Sequence, residues 1–559
     1  LLLQESAQVT TRVVLDTAFG SGERFAAARA QGGRLHYIAM ADVVPPAPAQ
    51  LQDLWPLNVP GFHRMILNDD VTLDLLVGAA DAVLPQVSAR VDAFHLAPGA
   101  PAAWARLLAR LAVPGAVLHA PAADEALVWA LTAAGFACRL QGASSDIAAV
   151  YRSRRPQPAA PAAPVRRAVV IGAGVAGSSA AHRLCARGWQ VTLIERHAQP
   201  AQEASGNLAG IFMPLLSRDD NMPTRLSRAA FLFALREWRR MGGAGKAFDG
   251  ADCGVLQLAR DARHAVVQQE ALAAWDYPPE YARWADAQEA SALIGAATPH
   301  GGWLFEHGGW ARPASLCEAL LAACGGRLQR VFCTEALQLL RVDSEWQVRG
   351  AGGTLIAQAP TVILANGASA SQIAQAAELP LARLRGQVTH LPVDASAAPP
   401  VLPLVVCREA YVTPPSGGIV CAGATYDNDD DPALRASSQL ENLTRLAEII
   451  PGDEVAALAQ TAPLAGRVGF RCAAPDRLPL AGAVPDYGNA GRLEFLPDVP
   501  RHPGLHCLLG YASRGIIWAP LMAELLVSQL EHMPPPLEAA LVDALDPGRF
   551  LLKQRRRAQ

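Results

Sequence analysis

Apolar and polar positions follow two periods along this chain. Short apolar runs, of a length suited to buried strands, alternate with stretches in which apolar residues recur every three or four positions, the helical period. Arg12–Leu15 reads as a strand that runs into Asp16-Thr-Ala-Phe-Gly20-Ser-Gly22 and then a helix through Ala30. Leu35–Met40, Val71–Val77, Ala93–Leu96 and Ala116–His119 read as further strands, with helices such as Pro101–Leu111 between them. Repeated β-α order predicts a parallel sheet covered by helices.

The pattern breaks at Ser153-Arg-Arg-Pro-Gln-Pro-Ala-Ala-Pro-Ala-Ala-Pro-Val165, a Pro/Ala stretch that cannot form a packed element and reads as a semi-rigid linker. It separates residues 1–152 from 166–559. Beyond it, the apolar run Ala168–Ile171 enters Gly172-Ala-Gly174-Val-Ala-Gly177. A helical stretch follows, and then Gln190-Val-Thr-Leu-Ile-Glu195. This strand–glycine loop–helix–strand order, closed by an acid, is the pattern that binds a dinucleotide. Gly172 serves the tight turn, Gly174 the approach of backbone to pyrophosphate, and Gly177 the contact of helix with strand. Glu195 is placed to accept from a ribose hydroxyl.

Downstream, Phe231, Leu235 and Trp238 share one helical face. Gly254–Leu258, Trp346–Arg349, Val388–Leu391 and Gly418–Ala424 have β character, and His506–Leu530 returns to strand and helix. The economical architecture is α/β: an N-terminal Rossmann-like domain, then a Rossmann-type lobe interrupted by a β-rich substrate lobe.

Length and composition narrow the class. The 559 residues exceed one ordinary core, and 51% hydrophobic with 18% charged residues describes a globular chain. A net charge of −3 provides no global basic field for nucleic acid, although a local basic face remains open. The ten cysteines show no CxxC and no metal-like spacing, and read as reduced core thiols of a cytoplasmic protein; no metal site is expected. No run approaches the ~20 apolar residues of a membrane span, and no signal peptide is visible. The first residue is Leu1 rather than Met, so further residues are expected ahead of it.

Three more stretches carry candidate chemistry. Glu203-Ala-Ser205-Gly206-Asn207 offers small polar groups to a flavin or phosphate, or else forms a helix-capping turn. Val362-Ile-Leu-Ala-Asn-Gly367 reads as a buried strand ending in Asn-Gly. Gly510-Tyr-Ala-Ser513-Arg514-Gly515 precedes an apolar helix and would aim amides at an electron-rich ligand edge. Gly469-Phe-Arg471-Cys-Ala-Ala-Pro-Asp476-Arg-Leu-Pro479 leaves two readings open. Arg471 either grips a substrate carboxylate bidentately or pairs structurally with Asp476.

These stretches resemble the glycine oxidase/D-amino-acid oxidase flavoprotein superfamily. More narrowly, they resemble the oxidoreductase half of the bacterial bifunctional proteins that build 5-methylaminomethyl-2-thiouridine at the tRNA wobble position. The resemblance runs in order through Ala204-Ser-Gly-Asn207, Met213-Pro-Leu-Leu-Ser217, Gly308-Gly-Trp310-Ala-Arg-Pro313, Arg385-Gly-Gln-Val388, Tyr411-Val-Thr-Pro414, Ala422-Gly-Ala-Thr-Tyr426, Arg471-Cys-Ala-Ala474 and Ala512-Ser-Arg-Gly515. It implies FAD held by Gly172, Gly174, Gly177, Glu195, Arg196, Ser205, Gly206, Asn207, Gly367, Gly510, Ser513, Arg514 and Gly515. It implies Arg471 as the carboxylate ligand, with Tyr411 and Tyr426 closing the pocket or standing as core aromatics. The implied reaction removes the carboxymethyl arm of 5-carboxymethylaminomethyl-(2-thio)uridine as glyoxylate, with oxygen accepting the electrons. Two other functions share these residues: a free glycine- or sarcosine-type oxidase, and a non-catalytic tRNA-binding scaffold.

Residues 12–152 resemble the same family's methyltransferase, which uses S-adenosylmethionine; Asp16, Gly20, Gly22 and Asp42 are the candidate ligands. The departures are specific. Ala18 replaces a loop glycine, Ala41 and Ala79 stand where acids are usual, and His95-Leu-Ala97-Pro replaces a motif whose Asp would orient the substrate amine. Asp42, on a continuing strand, would point to the opposite face from Ala41. The expectation is a methyltransferase fold that has lost its chemistry. Candidate phosphate contacts are Arg152, Arg154, Arg155, Arg166, Arg167 and the tail Lys553-Gln-Arg555-Arg556-Arg557.

Overall fold

The computed structural model describes residues 11–141, 145–152, 165–393, 401–451, 464–489 and 491–558. Arg154, Arg155 and the expected linker up to Pro164 lie outside the described residues. The chain divides into two compact units, Leu1–Pro164 with Ser528–Val542, and Val165–Val527 with Asp543–Gln559.

The first unit is built on one eight-stranded sheet. Across it the order is Gly61–Ile66, Val71–Val77, Leu35–Ala41, Arg12–Asp16, Val91–His95, Ala112–Ala120, Ile147–Tyr151, Phe136–Leu140. The five strands from Val71–Val77 to Ala112–Ala120 are parallel. The three remaining strands are antiparallel to their neighbours, a departure from the all-parallel expectation. One cause is local: the Asn68 side chain accepts from the amides of Asp70 and Val71 and closes a hairpin, and a connection this short joins only antiparallel strands. Both sheet faces are buried, with Val13, Leu15, Ile38 and Met40 in one core and Val14, Tyr37, Ala39 and Leu73 in the other. This is the period-two consequence of a strand covered on both sides.

A buried ionic network anchors the returning segment within this unit. Arg64 donates through Nε and Nη2 to the two oxygens of Asp74 at 2.8 and 2.7 Å, and His36 Nε2 lies 2.7 Å from Asp74 Oδ2. Arg64 also donates to Ser528 Oγ (2.9 Å) and to the Pro534 carbonyl (2.7 Å). Sequence reasoning had left 528–542 with the C-terminal segment, since a lone buried Arg–Asp pair in two strands gives no sign of what else it binds.

The second unit contains two large sheets. The first runs Leu328–Val331, Gln190–Ile194, Arg167–Ile171, Thr361–Leu364, Arg501–Leu509, Leu480–Pro485, and all its pairs are parallel except the last. The second runs Arg283–Ala285, Gly302–Phe305, Val255–Leu258, Val405–Cys407, Tyr411–Val412, Ile419–Gly423, Ala382–Pro392, Gly466–Ala473. It is the β-rich insertion. The strand Glu345–Arg349 lies apart, in a three-stranded sheet whose Trp346 and Val348 pack into the core of the first sheet. Helix Met222–Met241 buries Phe231, Leu235 and Trp238 on the face that their spacing predicts. No helix of the described residues is long and apolar enough to cross a membrane, and all ten cysteines are free.

Candidate cofactor and substrate site

The strand Arg167–Ile171 lies between Gln190–Ile194 on one side and Thr361–Leu364 on the other, so the strand order reverses at its carboxyl end. Such a switch point opens a crevice where a ligand can lie across the strand ends. The chain leaves the strand through Gly172, whose φ of 101° favours glycine. Helix Val175–Ala186 begins immediately after. A Cβ on Gly177 would lie 1.8 Å from the Gly172 carbonyl oxygen, so helix and loop touch backbone to backbone. Glu195, 8% exposed, accepts from the Ala173 amide (2.7 Å) and the His197 amide (3.0 Å), one on each oxygen. Each oxygen keeps a second lone pair for a hydroxyl.

A cavity of about 590 Å³ extends from this crevice to the second sheet. Gly172, Gly174, Glu195, Arg196, Ser205, Asn207, Gly367, Tyr411, Tyr426, Arg471, Gly510, Ser513, Arg514 and Gly515 line it. Gly177 does not; it sits behind the loop. Gly206 also lies off the wall, a difference from the expected ligand role. A Cβ there would meet the Arg467 guanidinium at 2.3 Å and the Ala201 carbonyl at 2.8 Å, so the glycine makes room for Arg467. Arg467 in turn donates to the carbonyls of Gln202 and Glu203 and to Asn207 Oδ1. Residues 203–207 form a turn followed by the strand Gly210–Phe212, and Ser205 Oγ accepts from the Val175 amide (3.2 Å), capping the first turn of helix Val175–Ala186 from outside. Arg196 is tied to Glu203 and lies 3.6 Å from Glu335.

Asn366 and Tyr511 also line the cavity, with Asn366 Oδ1 and Tyr511 Oη buried behind its surface. The glycine-cleared crevice and the free lone pairs of the Glu195 carboxylate suit the ribose and phosphates of a dinucleotide.

At the other end lies Arg471, on the strand Gly466–Ala473. Its Nη1 donates to the Thr425 carbonyl at 3.2 Å, and its Cζ sits 4.1 Å from the ring centroid of Tyr426. Gly386 of the neighbouring strand also approaches it: a Cβ there would lie 2.1 Å from Nη1 and 2.6 Å from Cζ. The pair with Asp476 is not formed: Asp476 takes Arg549, with Nε to Oδ2 at 2.9 Å and Nη2 to Oδ1 at 3.1 Å. Among the described residues Arg471 has no carboxylate partner. A second guanidinium, that of Arg514, also lines the wall. It donates to the Met213 carbonyl at 3.2 Å, and burial pulls its pKa down. Tyr411 is half-buried, and burial raises the pKa of its phenol above the ordinary value. Tyr426 is 55% exposed, a lid position rather than a core one.

The first unit has its own switch point, between Arg12–Asp16 and Val91–His95. Asp16 is fully buried there and accepts from Tyr37 Oη (2.8 Å), Arg24 Nη1 (3.0 Å) and the Ala18 amide (3.1 Å). Gly20 is an exposed turn residue, and Gly22, with φ 81°, caps helix Glu23–Ala30 over the buried Phe19 ring. The strand ends at Ala41, so Asp42 is an exposed bend residue and not the next strand position that sequence reasoning supposed.

The sequence model of the FAD dependent oxidoreductase family matches residues 167–529. A tRNA 5-methylaminomethyl-2-thiouridine biosynthesis bifunctional protein from Azoarcus sp. (strain BH72) is 43% identical, over 97% of this chain and 90% of that protein. One from Burkholderia thailandensis is 40% identical, over 98% and 91%. The chain belongs to this bifunctional family. Every cavity residue falls inside its FAD dependent oxidoreductase part. The family's oxidoreductase fold is also seen in solved structures. Glycine oxidase from Geobacillus kaustophilus superposes with a TM-score of 0.56 at 21% identity, over 69% of this chain and 99% of that one. Iminodiacetate oxidase from Chelativorans sp. BNC1 superposes with 0.52 at 25% identity, over 66% and 96%.

Sequence reasoning missed Gly386, Arg385 and Cys407. Arg385 is wholly buried and donates to the carbonyls of Asp431 and Ala433 and to Asp427, fixing the loop that follows Tyr426. Cys407 lines the cavity with its thiol pushed up to about 12 by burial. Arg385 and Gly386 stood in the sequence only within the stretch Arg385–Val388 that carries the family resemblance, with no role given to either.

Proposed function

We propose that this chain oxidises the carboxymethylaminomethyl group of wobble 5-carboxymethylaminomethyl-(2-thio)uridine in tRNA, leaving 5-aminomethyl-(2-thio)uridine and glyoxylate. The observation that carries the reading is Arg471, a guanidinium in the wall of the cavity with no acid among the described residues to neutralise it. A planar fork stacked on the Tyr426 ring and close to the Gly386 backbone can take a carboxylate bidentately. The names of the bifunctional relatives supply the tRNA. The name of the iminodiacetate oxidase describes a secondary amine with carboxymethyl arms, the same C–N linkage.

FAD, when bound, supplies the two-electron acceptor for the C–H bond between amine and carboxylate, with dioxygen as the final acceptor. The chain's own residues position that bond. The Glu195 carboxylate and the glycine loop would hold the nucleotide end. Arg471 fixes the carboxylate, Arg514 adds a second positive charge, and Tyr411 and Tyr426 close the wall and limit water. The C–H carbon loses a hydride and the nitrogen a proton, giving an imine that water cleaves to amine and glyoxylate.

For the first unit we infer a methyltransferase fold kept without methyl transfer. The Asp16 carboxylate is committed to Tyr37, Arg24 and Ala18, and Asp42 stands exposed in a bend beyond the strand end. The test of the main reading is anaerobic bleaching of the bound flavin. Modified tRNA should reduce it, whereas free glycine and sarcosine should not at comparable rates. Equal or faster reduction by the free amino acids would move the assignment to a free amino-acid oxidase, and a protein without flavin absorbance would overturn both.

A further inference from the structure

We propose that the last helix, Gly548–Ala558, is a phosphate-contact surface for the substrate RNA; the proposal rests on the tRNA reading above. The helix carries Arg549, Lys553, Arg555, Arg556 and Arg557 and no acid, in a chain whose net charge is −3. Its apolar side is anchored: Leu551 is 1% exposed and packs with Leu493 and Val499. Lys553, Arg556 and Arg557 are exposed, and none forms a salt bridge with a described residue. Arg556 donates to the Glu494 carbonyl, which leaves its charge unneutralised.

The position of the helix gives these charges a purpose. Arg549 clamps it to both oxygens of Asp476 and to the Leu478 carbonyl. Asp476 lies in the turn after the strand that carries Arg471, five residues on. Chain reach keeps Asp476 within about 18 Å of Arg471, and the basic residues follow Arg549 at about 6–12 Å along the helix. The basic residues therefore lie near enough to Arg471 to meet phosphates flanking a wobble nucleotide held there. The exposed Arg477, in the same turn, adds to it. Cations at a helix C-terminus also favour the helix dipole, and a purely structural role is the outcome to be separated.

The experiment measures binding of full-length, flavin-loaded protein to a transcribed tRNA over a range of salt. The triple variant Lys553→Gln, Arg556→Gln, Arg557→Gln should bind at least tenfold more weakly at low salt. Its slope of log K against log salt should be smaller by about 2–3, as expected for three lost phosphate contacts. Flavin content and melting temperature should stay at wild-type values. Should the triple variant fold poorly, Lys553→Gln alone should lower the slope by about 0.7–0.9, and the charge-keeping Lys553→Arg, Arg556→Lys, Arg557→Lys should bind as wild type. Unchanged affinity and slope in the glutamine variants would overturn the proposal and leave the helix a structural role. Wild-type protein that binds no tRNA would overturn the tRNA reading as well, a different result from variants that bind like wild type.

Discussion

Gly386→Ala tests how the structure holds Arg471. The added methyl would lie 2.1 Å from Nη1 and 2.6 Å from both Cζ and Nη2. Carbon contacts settle at about 3.5–4.0 Å, so the guanidinium must retreat by about 1–1.5 Å. It is the far end of a flexible side chain, and Gly386 is absent from the positive-φ glycines, so the fold can absorb the change. The retreat costs the Thr425 hydrogen bond and the stacking on Tyr426, and it moves the fork off the substrate carboxylate. A hydrogen bond to a charged group is worth about 1.5–3 kcal/mol, which converts to a fall of about 10- to 150-fold in kcat/KM. The assay is steady-state oxidation of the modified tRNA, with flavin content and melting temperature as controls. Arg471→Ala should fall at least as far, and the double variant no further, because both act through one group. Wild-type kinetics for Gly386→Ala, or additive losses in the double variant, would refute the reasoning.

Gly177→Ala meets backbone rather than a flexible tip, with its Cβ 1.8 Å from the Gly172 carbonyl; it should purify with little or no flavin, read from the visible spectrum. Asp74, held down to about 2 by Arg64 and His36 against the opposing effect of its burial, stays ionised in the folded unit at a pH where the unfolded chain is already protonated. Its contribution, about 2–3 kcal/mol, is complete above pH ~4 and is lost as pH falls through about 2, so Asp74→Asn should flatten the acid limb of the unfolding curve. Titration calorimetry with S-adenosylmethionine should show no micromolar binding, and aminomethyluridine tRNA should gain no methyl group.

The strands of both units were legible because their apolar runs are short, continuous and bounded by turn residues. The antiparallel edges of the first sheet were not, since a strand's direction depends on its connection rather than its composition. Gly172, Gly174 and Glu195 were legible because each has a fixed place in a local strand–loop–helix pattern. The reason Gly206 has no side chain was not legible, because its smallness makes room for Arg467, which is 261 positions away in sequence. The choice between the two readings of Arg471 could not be made from the segment Arg471–Asp476 alone. It turned on Arg549, a distant residue that takes Asp476 and leaves Arg471 without an acid. Gly386 carried no signal of its own, because a glycine that admits a guanidinium looks in sequence like any other glycine in a strand.

The most direct test of the account is a single turnover of flavin-loaded protein with tRNA bearing carboxymethylaminomethyluridine, quenched and analysed for both products. The account predicts one glyoxylate and one aminomethyluridine for each flavin reduced, and loss of both in Arg471→Ala with flavin still bound. Flavin reduction without glyoxylate, or full turnover by Arg471→Ala, would contradict it.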